Sequence, residues 1–365
     1  MNILWVLLMG LAALVLQAAL FGLFALRSLR YRREFTRTTL FAGETTEMVE
    51  TLENRKFLPV PWLRVESRMP DSMLFGRQQN LSVDGSRYHR SVFFLGPYRR
   101  IVRRHAVRCE ARGLFDMSSV AVTSGDLFGL KGSSRQHDVG LKVMVYPRLY
   151  SPDAAELPSS RWQGELLVKR WIVPDPFLYS GIREYRSGDP MRDVHWRASA
   201  RTGKLQVMQR DFTASPRLMV LINVQVDERQ WNKLNPREAA LIEQAISLGA
   251  TAALHAIENG VEAGVGSNGG ISGGVEKELL YIPPAASPQQ RDILLDALAR
   301  LKTERQLSFH TYLDSLPGVT DMDFLIVTPY VTPMLEQRAD LLRARGNTVL
   351  FLPVEEGGDR IAVGA

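Results

Sequence analysis

The sequence predicts an α+β multidomain protein: one amino-terminal transmembrane helix, a β-sandwich-like domain, and a doubly wound α/β domain. Three observations predict it: an unbroken apolar run at residues 3–26, alternating short strands over residues 38–150, and strands that alternate with helices over residues 216–356. At 365 residues the chain is too long for one ordinary core. Its 45% hydrophobic and 23% charged residues are typical of a folded globular protein.

The amino-terminal run has the length and composition of a membrane span. From Ile3 to Leu26 no side chain ionises, and Gln17 is the only strongly polar one. As a helix this run is about 36 Å long at roughly 1.5 Å per residue, which exceeds a hydrocarbon core of about 30 Å. A cleaved signal peptide would need a basic start and a small-x-small site, so we predict a permanent span.

The residues that flank this run predict its orientation. Five arginines follow the run, and no basic side chain precedes it. These are Arg27, Arg30, Arg32, Arg33 and Arg37. Because basic residues stay on the cytoplasmic side, we predict a single-pass protein of the inner (cytoplasmic) membrane with its soluble domains in the cytoplasm. A lone cysteine, Cys109, fits a reducing compartment.

Residues 38–150 read as about seven antiparallel strands separated by Pro, Gly and Asp turns. A basic run at residues 99–104 is favoured as a solvated sheet edge. An alternative is that it acts, with the arginines at residues 27–37, as a lipid-surface regulator. Histidines at positions 89 and 105 show no ligand spacing, and no role is assigned to them.

Residues 216–356 alternate buried strands with amphipathic helices, which predicts a parallel sheet. The run Gly264–Gly269 has the spacing of a dinucleotide fingerprint. No helix follows it, so phosphate would find no helix amino terminus, and a mobile hairpin loop is favoured.

Between these domains, residues 151–215 form a polar, arginine-rich interdomain segment that contains Gly181–Arg201, GIREYRSGDPMRDVHWRASAR. This stretch resembles the signature of the family known as domain of unknown function 58, DUF58. The matching positions are Gly181, Arg183, Tyr185, Gly188, Asp189, Arg192, Trp196, Ser199, Ala200 and Arg201. A Gly-Asp-Leu-Phe-Gly-Leu turn at residues 125–130 and a Val-Tyr-Pro-Arg run at residues 145–148 agree with it.

The resemblance implies a membrane anchor and a carboxy-terminal von Willebrand A-like unit. It also implies a partner, a MoxR-type AAA+ ATPase, and a role as an adaptor in a cell-envelope process. We therefore predict a non-catalytic interaction or assembly protein. The binding face is expected near residues 223–227 and the loop at residues 264–274, because open α/β sheets bind ligands at the carboxyl ends of their strands.

The signature segment itself has a favoured structural interpretation and a catalytic alternative. Its arginines and aspartates suit bidentate ion pairs that clamp two domains, with Trp196 as an apolar anchor and Asp189 as the cap of a helix that starts with Pro190. The alternative is an envelope hydrolase that uses Asp189 and His195, with Ser199 on the same helix face. No nucleophile elbow supports that alternative.

Metal and nucleic-acid functions are not favoured by the sequence. A von Willebrand A-like fold often holds a divalent ion through Asp-x-Ser-x-Ser, but this chain has Asn223, Gln225 and Asp227, and Thr328 in place of a distal Asp. We predict a degenerate site and no cofactor, with weak Mg²⁺ binding through Asp227 as the alternative. The net charge of +6 is spread over separate arginine clusters, so no nucleic-acid partner is predicted.

Overall fold

The computed structural model describes residues 3–76, 81–84, 88–129, 132–151, 179–186, 191, 194–210, 217–230, 234–274 and 278–355. The chain divides into two compact units. The first is formed mainly by Met1–Arg148, and the second by Leu149–Ala297 and Leu301–Ala362.

The chain begins with a long apolar helix, α1, over Ile3–Phe24. The helix is long and apolar enough to cross a membrane, and no residue of an 18-residue window within it is buried. It is therefore a candidate for either a membrane span or a signal sequence. The only other described helix that meets the same length and composition test, Pro236–Glu258, is 67% buried and belongs to the core of the second unit.

Lys56 fixes the carboxyl end of α1 to the first unit. Its Nζ donates hydrogen bonds to the carbonyl oxygens of Phe24 at 2.6 Å and Arg27 at 2.8 Å, and also to that of Ala25. An ammonium group at this position satisfies carbonyls that have no partner in the helix and offsets the negative end of the helix dipole.

Twelve described strands follow in the first unit. They are β1 Leu29–Phe35, β2 Thr39–Phe41, β3 Thr45–Asn54, β4 Val60–Arg68, β5 Met73–Phe75, β6 Leu81–Asp84, β7 Tyr88–Leu95, β8 Arg100–Cys109, β9 Gly113–Asp116, β10 Ser119–Gly125, β11 Gly132–Asp138 and β12 Lys142–Tyr146. The expectation of about seven strands over residues 38–150 is therefore too low. Four of the strands have only three or four residues, which is too short for an alternation to show in the sequence.

These strands form three sheets. Their orders are β1-β3-β8-β5, β11-β10-β4-β7-β6 and β2-β12-β9. Burial alternates along β3, so Met48, Glu50 and Leu52 point to the same interior face. Among the described strands, β5 pairs with β8 only at Val107–Cys109, so the part of β8 that carries the arginines of residues 100–104 has a described ladder partner on one side only, β3.

The second unit has a described order of alternating strands and helices. It runs β13 Tyr179–Glu184, α2 Trp196–Thr202, β14 Gln206–Arg210, β15 Arg217–Ile222, α3 Pro236–Glu258, β16 Glu262–Ile271, β17 Leu279–Ala285, α4 Gln290–Arg300, β18 Leu301–Arg305, α5 Phe309–Asp314, β19 Asp323–Thr328, α6 Pro333–Ala344 and β20 Thr348–Pro353. The main sheet has the order β17-β16-β15-β19-β20, and β18 pairs with β16.

Four strands of this sheet, β16, β15, β19 and β20, are parallel, as the sequence predicts. The expectation fails for β17, which is antiparallel to β16. The connection between these two strands is too short for the crossover that a parallel pair needs. The helical pattern of SPQQRDILLDALARLK, residues 287–302, predicts a helix over its whole length, but the helix ends at Arg300 and β18 begins at Leu301.

The glycine-rich run Gly264–Gly269 lies inside β16, so its interpretation as a mobile hairpin loop is wrong. The strand is buried along almost its whole length. A Cβ atom on Gly264 would lie 2.6 Å from the backbone nitrogen of Pro284 in β17. The absence of a side chain therefore allows two backbones to approach closely.

Candidate functional site

Five polar side chains are fully buried where β15, β16 and β19 end at the same edge of the parallel sheet. They are Asn223, Gln225, Ser267, Asn268 and Thr328, each with 0% exposure. In open α/β sheets this edge is the usual place for a ligand or partner. We refer to these five residues as the edge network.

Asn268 connects the loops that follow two strands. Its Oδ1 accepts a hydrogen bond from the backbone nitrogen of Val224 at 2.9 Å. Its Nδ2 donates to Oε1 of Gln225 at 3.3 Å and to the carbonyl oxygen of Leu307 at 3.1 Å. One amide group thereby holds three segments in register.

Gln225 and Asn223 extend the network to β19. Oε1 of Gln225 also accepts from the backbone nitrogen of Phe309 at 2.6 Å. Asn223 Oδ1 accepts from the Gln225 nitrogen at 3.0 Å, and Asn223 Nδ2 donates to Oγ1 of Thr328 at 3.0 Å. Thr328 in turn donates to the carbonyl oxygen of Tyr330 at 2.8 Å. The buried polar groups are paired with one another, which fixes the loops rigidly.

The residues of the edge network do not fit a tightly held divalent cation. The amide oxygens of Asn223 and Gln225 already accept backbone hydrogen bonds, and Asp227 is exposed. Within the described ranges, no three His, Cys, Asp or Glu side chains come together at this edge. A hard cation needs several oxygen ligands that include carboxylates. Weak Mg²⁺ binding through Asp227 stays a prediction.

The surface around the edge network combines apolar and acidic groups. Leu307, Val331 and Met334 are 38%, 42% and 45% exposed. Thr332 Oγ1 lies 3.5 Å from Oε1 of Glu228, next to Asp227. A rigid surface of this composition suits protein recognition better than the binding of a small anion.

Replacing Asn268 with leucine should destabilise the second unit by about 1–3 kcal/mol, because buried backbone groups lose their partners. The buried Val224 N–H would lose its acceptor, and the part-buried Leu307 carbonyl would lose its donor. Hydrogen exchange of peptides from β15 and β16 measures the effect. Asn259→Leu, at an exposed helix end, is the matched control and should change this exchange little. Equal protection in both variants would contradict the assigned role.

The signature segment forms a β13–β14 hairpin with the short helix α2 between its strands. Gly181 and Arg183 lie on β13, and Trp196, Ser199 and Arg201 lie on α2. Tyr185 joins the hairpin through its backbone nitrogen, which donates to the Leu205 carbonyl at 2.9 Å. The predicted positions Gly188, Asp189 and Arg192 lie outside the described residues.

One expectation for this segment needs correction, whereas the helix expected to start at Asp189 with Pro190 falls on positions outside the described residues. The described helix α2 begins at Trp196, with His195 as its cap. The side chain of Trp196 is 64% exposed, so it does not act as the expected apolar anchor. Tertiary contacts and capping set these features, and the local sequence pattern does not reveal them.

His195 and Ser199 are brought together, but as structural groups. His195 Nδ1 accepts from the backbone nitrogen of Ala198 at 3.0 Å, which caps α2. Ser199 Oγ donates to the His195 carbonyl at 3.0 Å and accepts from the Gln206 nitrogen at 2.8 Å. Neither side chain is bonded to the other, so the pair lacks the nucleophile–base contact of a catalytic triad.

A second polar group, which the sequence interpretation missed, lies inside the first unit. Glu50, His89 and His105 place one possible metal-ligating atom each within 4.8 Å of the others, and all three side chains are buried. The alternation of β3 gives a signal, because Glu50 falls on the same face as Met48 and Leu52.

Comparison with known proteins supports the signature. A family model described as "Protein of unknown function DUF58" matches residues 181–356, just under half of the chain. The uncharacterized protein YeaD of Bacillus subtilis is 23% identical over 352 residues, which cover 95% of this chain and 81% of YeaD. The DUF58 resemblance of the signature is thus confirmed over the matched region.

Solved structures give only distant likenesses. The CARDB domain of a Pyrococcus furiosus protein is 14% identical, covers 32% of this chain and 91% of that domain, and has a TM-score of 0.21. An Escherichia coli alpha-2-macroglobulin fragment is 10% identical, with coverages of 33% and 24% and a TM-score of 0.26. TM-scores this low establish neither a shared fold nor a function.

Proposed function

We propose that this protein is a membrane-anchored, non-catalytic adaptor whose edge network supports a docking face for a MoxR-type AAA+ ATPase. In this proposal the second unit is a von Willebrand A-like domain, and the first unit is a β-sandwich-like domain. The family resemblance of the signature supplies the identity of the partner.

One observation carries the docking face. Neutral amide and hydroxyl groups hydrogen-bond to one another and to backbone groups at the carboxyl edge of the parallel sheet. Exposed Leu307 and Val331 lie on the loops after β18 and β19, and exposed Met334 lies in the first turn of α6. Preorganised loops lose little conformational freedom on binding, which favours affinity. Asp227 and Glu228 add negative charge that suits a partner surface with basic residues.

The proposed location follows from α1 and its flanking arginines. The helix has 22 residues, which at roughly 1.5 Å per residue suffices for a bilayer core. The five arginines after it support the proposed location of the carboxy-terminal units in the cytoplasm, with the helix in the inner membrane.

The alternative is an envelope hydrolase that uses Asp189 and His195. It predicts hydrolytic activity that falls in a folded Asp189→Ala or His195→Ala variant. His195 Nδ1 is engaged in capping α2, so only Nε2 would remain for proton transfer. No contact among the described residues favours this alternative over the adaptor.

The proposal is tested by the affinity of the full-length chain, in nanodiscs, for a purified MoxR-type AAA+ ATPase from the same organism. We expect Met334→Asp to weaken binding at least about tenfold, because it places a charge in the apolar part of the interface. Asp227→Lys should weaken it as well and change its salt dependence.

Matched controls lie at the opposite edge of the same sheet. Leu341→Asp changes an equally exposed apolar residue on α6, 51% exposed compared with 45% for Met334. Glu258→Lys reverses a charge at the end of α3 that leads into β16. Both controls should bind like the wild type. The docking face would be contradicted if the wild type did not bind the ATPase. It would also be contradicted if each control variant lost as much affinity as the variant that it is matched to.

A further inference from the structure

Glu50, His89 and His105 form a buried cluster in the first unit, with side chains from two different sheets. Their exposures are 0%, 1% and 3%. We propose that this cluster is a binding site for a first-row divalent cation, with Zn²⁺ as the best fit. The inference concerns the first unit alone and does not depend on the docking face of the second.

Strand register explains how these residues meet. In the first sheet, Arg33 of β1 lies directly opposite Glu50 of β3. His105 of β8 lies opposite Met48 of β3, which is two residues from Glu50 and points to the same face. In the second sheet, His89 of β7 pairs with Ser67 of β4. Arg33 Nη1 donates to Ser67 Oγ at 2.7 Å, so the interior faces of the two sheets meet at this point.

The two carboxylate oxygens of Glu50 have different surroundings. Oε1 accepts from Arg33 Nη2 at 2.8 Å and from the Tyr31 hydroxyl at 2.7 Å. Oε2 lies 3.1 Å from His105 Nε2 and accepts from Ser91 Oγ at 3.4 Å. Arg33 and Tyr31 thus orient the carboxylate from behind, as outer groups do around metal ligands, and leave Oε2 facing the histidines.

The ionisation of Glu50 also suits a ligand. Burial alone would raise its pKa, but the hydrogen bond with His105 and the charge of Arg33 hold that pKa well below its usual range. The side chain is therefore an ionised carboxylate at neutral pH. Because an ionised carboxylate only accepts hydrogen bonds, Nε2 of His105 carries a proton that a bound cation would displace.

The unsatisfied ring nitrogens of His89 are the observation that points to a ligand. Both of its ring nitrogens are buried without a hydrogen-bond partner, as is Nδ1 of His105. The His89 ring is held in place by Phe75 at 4.8 Å and by His105 at 5.2 Å between ring centroids. Leaving a buried donor or acceptor unpaired costs about 1–3 kcal/mol, so a polar group with no partner calls for an explanation.

The protonation state of His89 agrees with metal binding. Burial lowers the pKa of His89 to about 4. The imidazole is therefore neutral near pH 7, which is the form that coordinates metals. When a cation is present, a ring nitrogen of His89 coordinates it, and this bond takes the place of the missing hydrogen bond.

Distances and ligand chemistry select the metal. Ligands about 2.0–2.1 Å from a tetrahedral Zn²⁺ stand roughly 3.4 Å apart. The observed separation of 3.1 Å between Glu50 Oε2 and His105 Nε2 requires a small opening. The three ligand atoms lie within 4.8 Å of one another, so the widest pair would move closer by up to about 1.4 Å. Two imidazoles and one carboxylate suit Zn²⁺ and its neighbours, whereas Mg²⁺ prefers an all-oxygen set. Ser91 or a water would supply the fourth ligand.

The test measures Zn²⁺ binding by the full-length, tag-free chain in detergent after removal of metals with a chelator. We expect one equivalent of Zn²⁺ per chain and a rise in the melting temperature when Zn²⁺ is restored. His89→Gln removes a direct ligand and should lower the Zn²⁺ affinity by at least about 100-fold. The loss of a group that only orients a ligand lowers the affinity less. Co²⁺ should give the visible absorption of a four-coordinate site in the wild type.

Two controls keep the outcome decisive. His137→Gln removes a histidine of β11 outside the cluster and should leave binding unchanged. If His89→Gln unfolds, the wild-type melting temperature and Co²⁺ spectrum test the site without any variant. Absence of stoichiometric metal in the wild type would overturn the proposal. So would a wild-type Zn²⁺ affinity in folded His89→Gln and His105→Gln proteins.

Discussion

Glu50→Gln should destabilise the first unit by about 3–5 kcal/mol, the largest effect that we expect from a single side-chain substitution in the chain. The substitution keeps the size of the side chain but removes its charge. Arg33 would then be a buried guanidinium without its carboxylate, and the two side chains are both 0% exposed in their ion pair. Removing one partner of a buried pair costs more than the pair itself contributes.

A double-mutant cycle separates the pair from its surroundings. Arg33→Met and Glu50→Leu should each be comparably destabilising, whereas the double variant Arg33→Met/Glu50→Leu should recover much of the loss, because no charge remains buried. Hydrogen exchange of peptides from β3 and β8 reports on this unit specifically, with a chelator present so that metal does not contribute. A two-unit chain should not be treated as a two-state system.

The control for this cycle is Glu47→Gln on the same strand. Glu47 pairs with Arg104 at 3.6 Å, and both side chains are more than half exposed. Exposed pairs of this kind contribute little to stability. If Glu50→Gln and Glu47→Gln changed exchange in β3 equally, the cluster would not be the source of the stability of the first unit.

Gly264→Ala should destabilise the second unit by about 1–3 kcal/mol or more through overpacking. The new methyl group would meet the backbone of β17, at 2.6 Å from Pro284 N and 2.7 Å from Pro283 C. A backbone cannot move aside as the end of a flexible side chain can. The antiparallel β16–β17 pair would have to separate, which faster hydrogen exchange in Leu279–Ala285 would reveal.

Gly318→Ala is the matched control. A Cβ atom there meets nothing within 4 Å, and its backbone does not have the positive φ that disfavours alanine. We expect Gly318→Ala to leave exchange in β17 unchanged. A harmless Gly264→Ala would show that β17 can shift at little cost and that this glycine does not hold the two strands close.

Much of the fold follows from local patterns. The apolar run DFLIVT predicts a strand at residues 323–328, and the pattern of residues 236–260 predicts a helix; the structure has them at Asp323–Thr328 and Pro236–Glu258. That helix carries strong local signals: Asn235 and Glu238 form a capping box, and a proline occupies its first turn. The direction of β17 depended on a tight connection and a close backbone contact, which periodicity does not encode.

The sites were less accessible to sequence reasoning. The carboxyl edge was located from strand order, yet its hydrogen bonds involve Asn268 and Phe309, far along the chain from Asn223. The Glu50 cluster was missed because its histidines come from different sheets and have no regular spacing. An ionisable side chain at an inward position of an alternating strand was the available signal.

The short connection between α1 and β1 limits where the first unit can go. Only residues 25–28 separate the helix from the strand, and Lys56 ties the helix end to the loop after β3. If α1 lies in a bilayer, the first unit has almost no tether along which to explore the aqueous phase. The first unit would then stay at the lipid surface and diffuse in two dimensions with the helix, and it would not tumble freely as a protein in solution does.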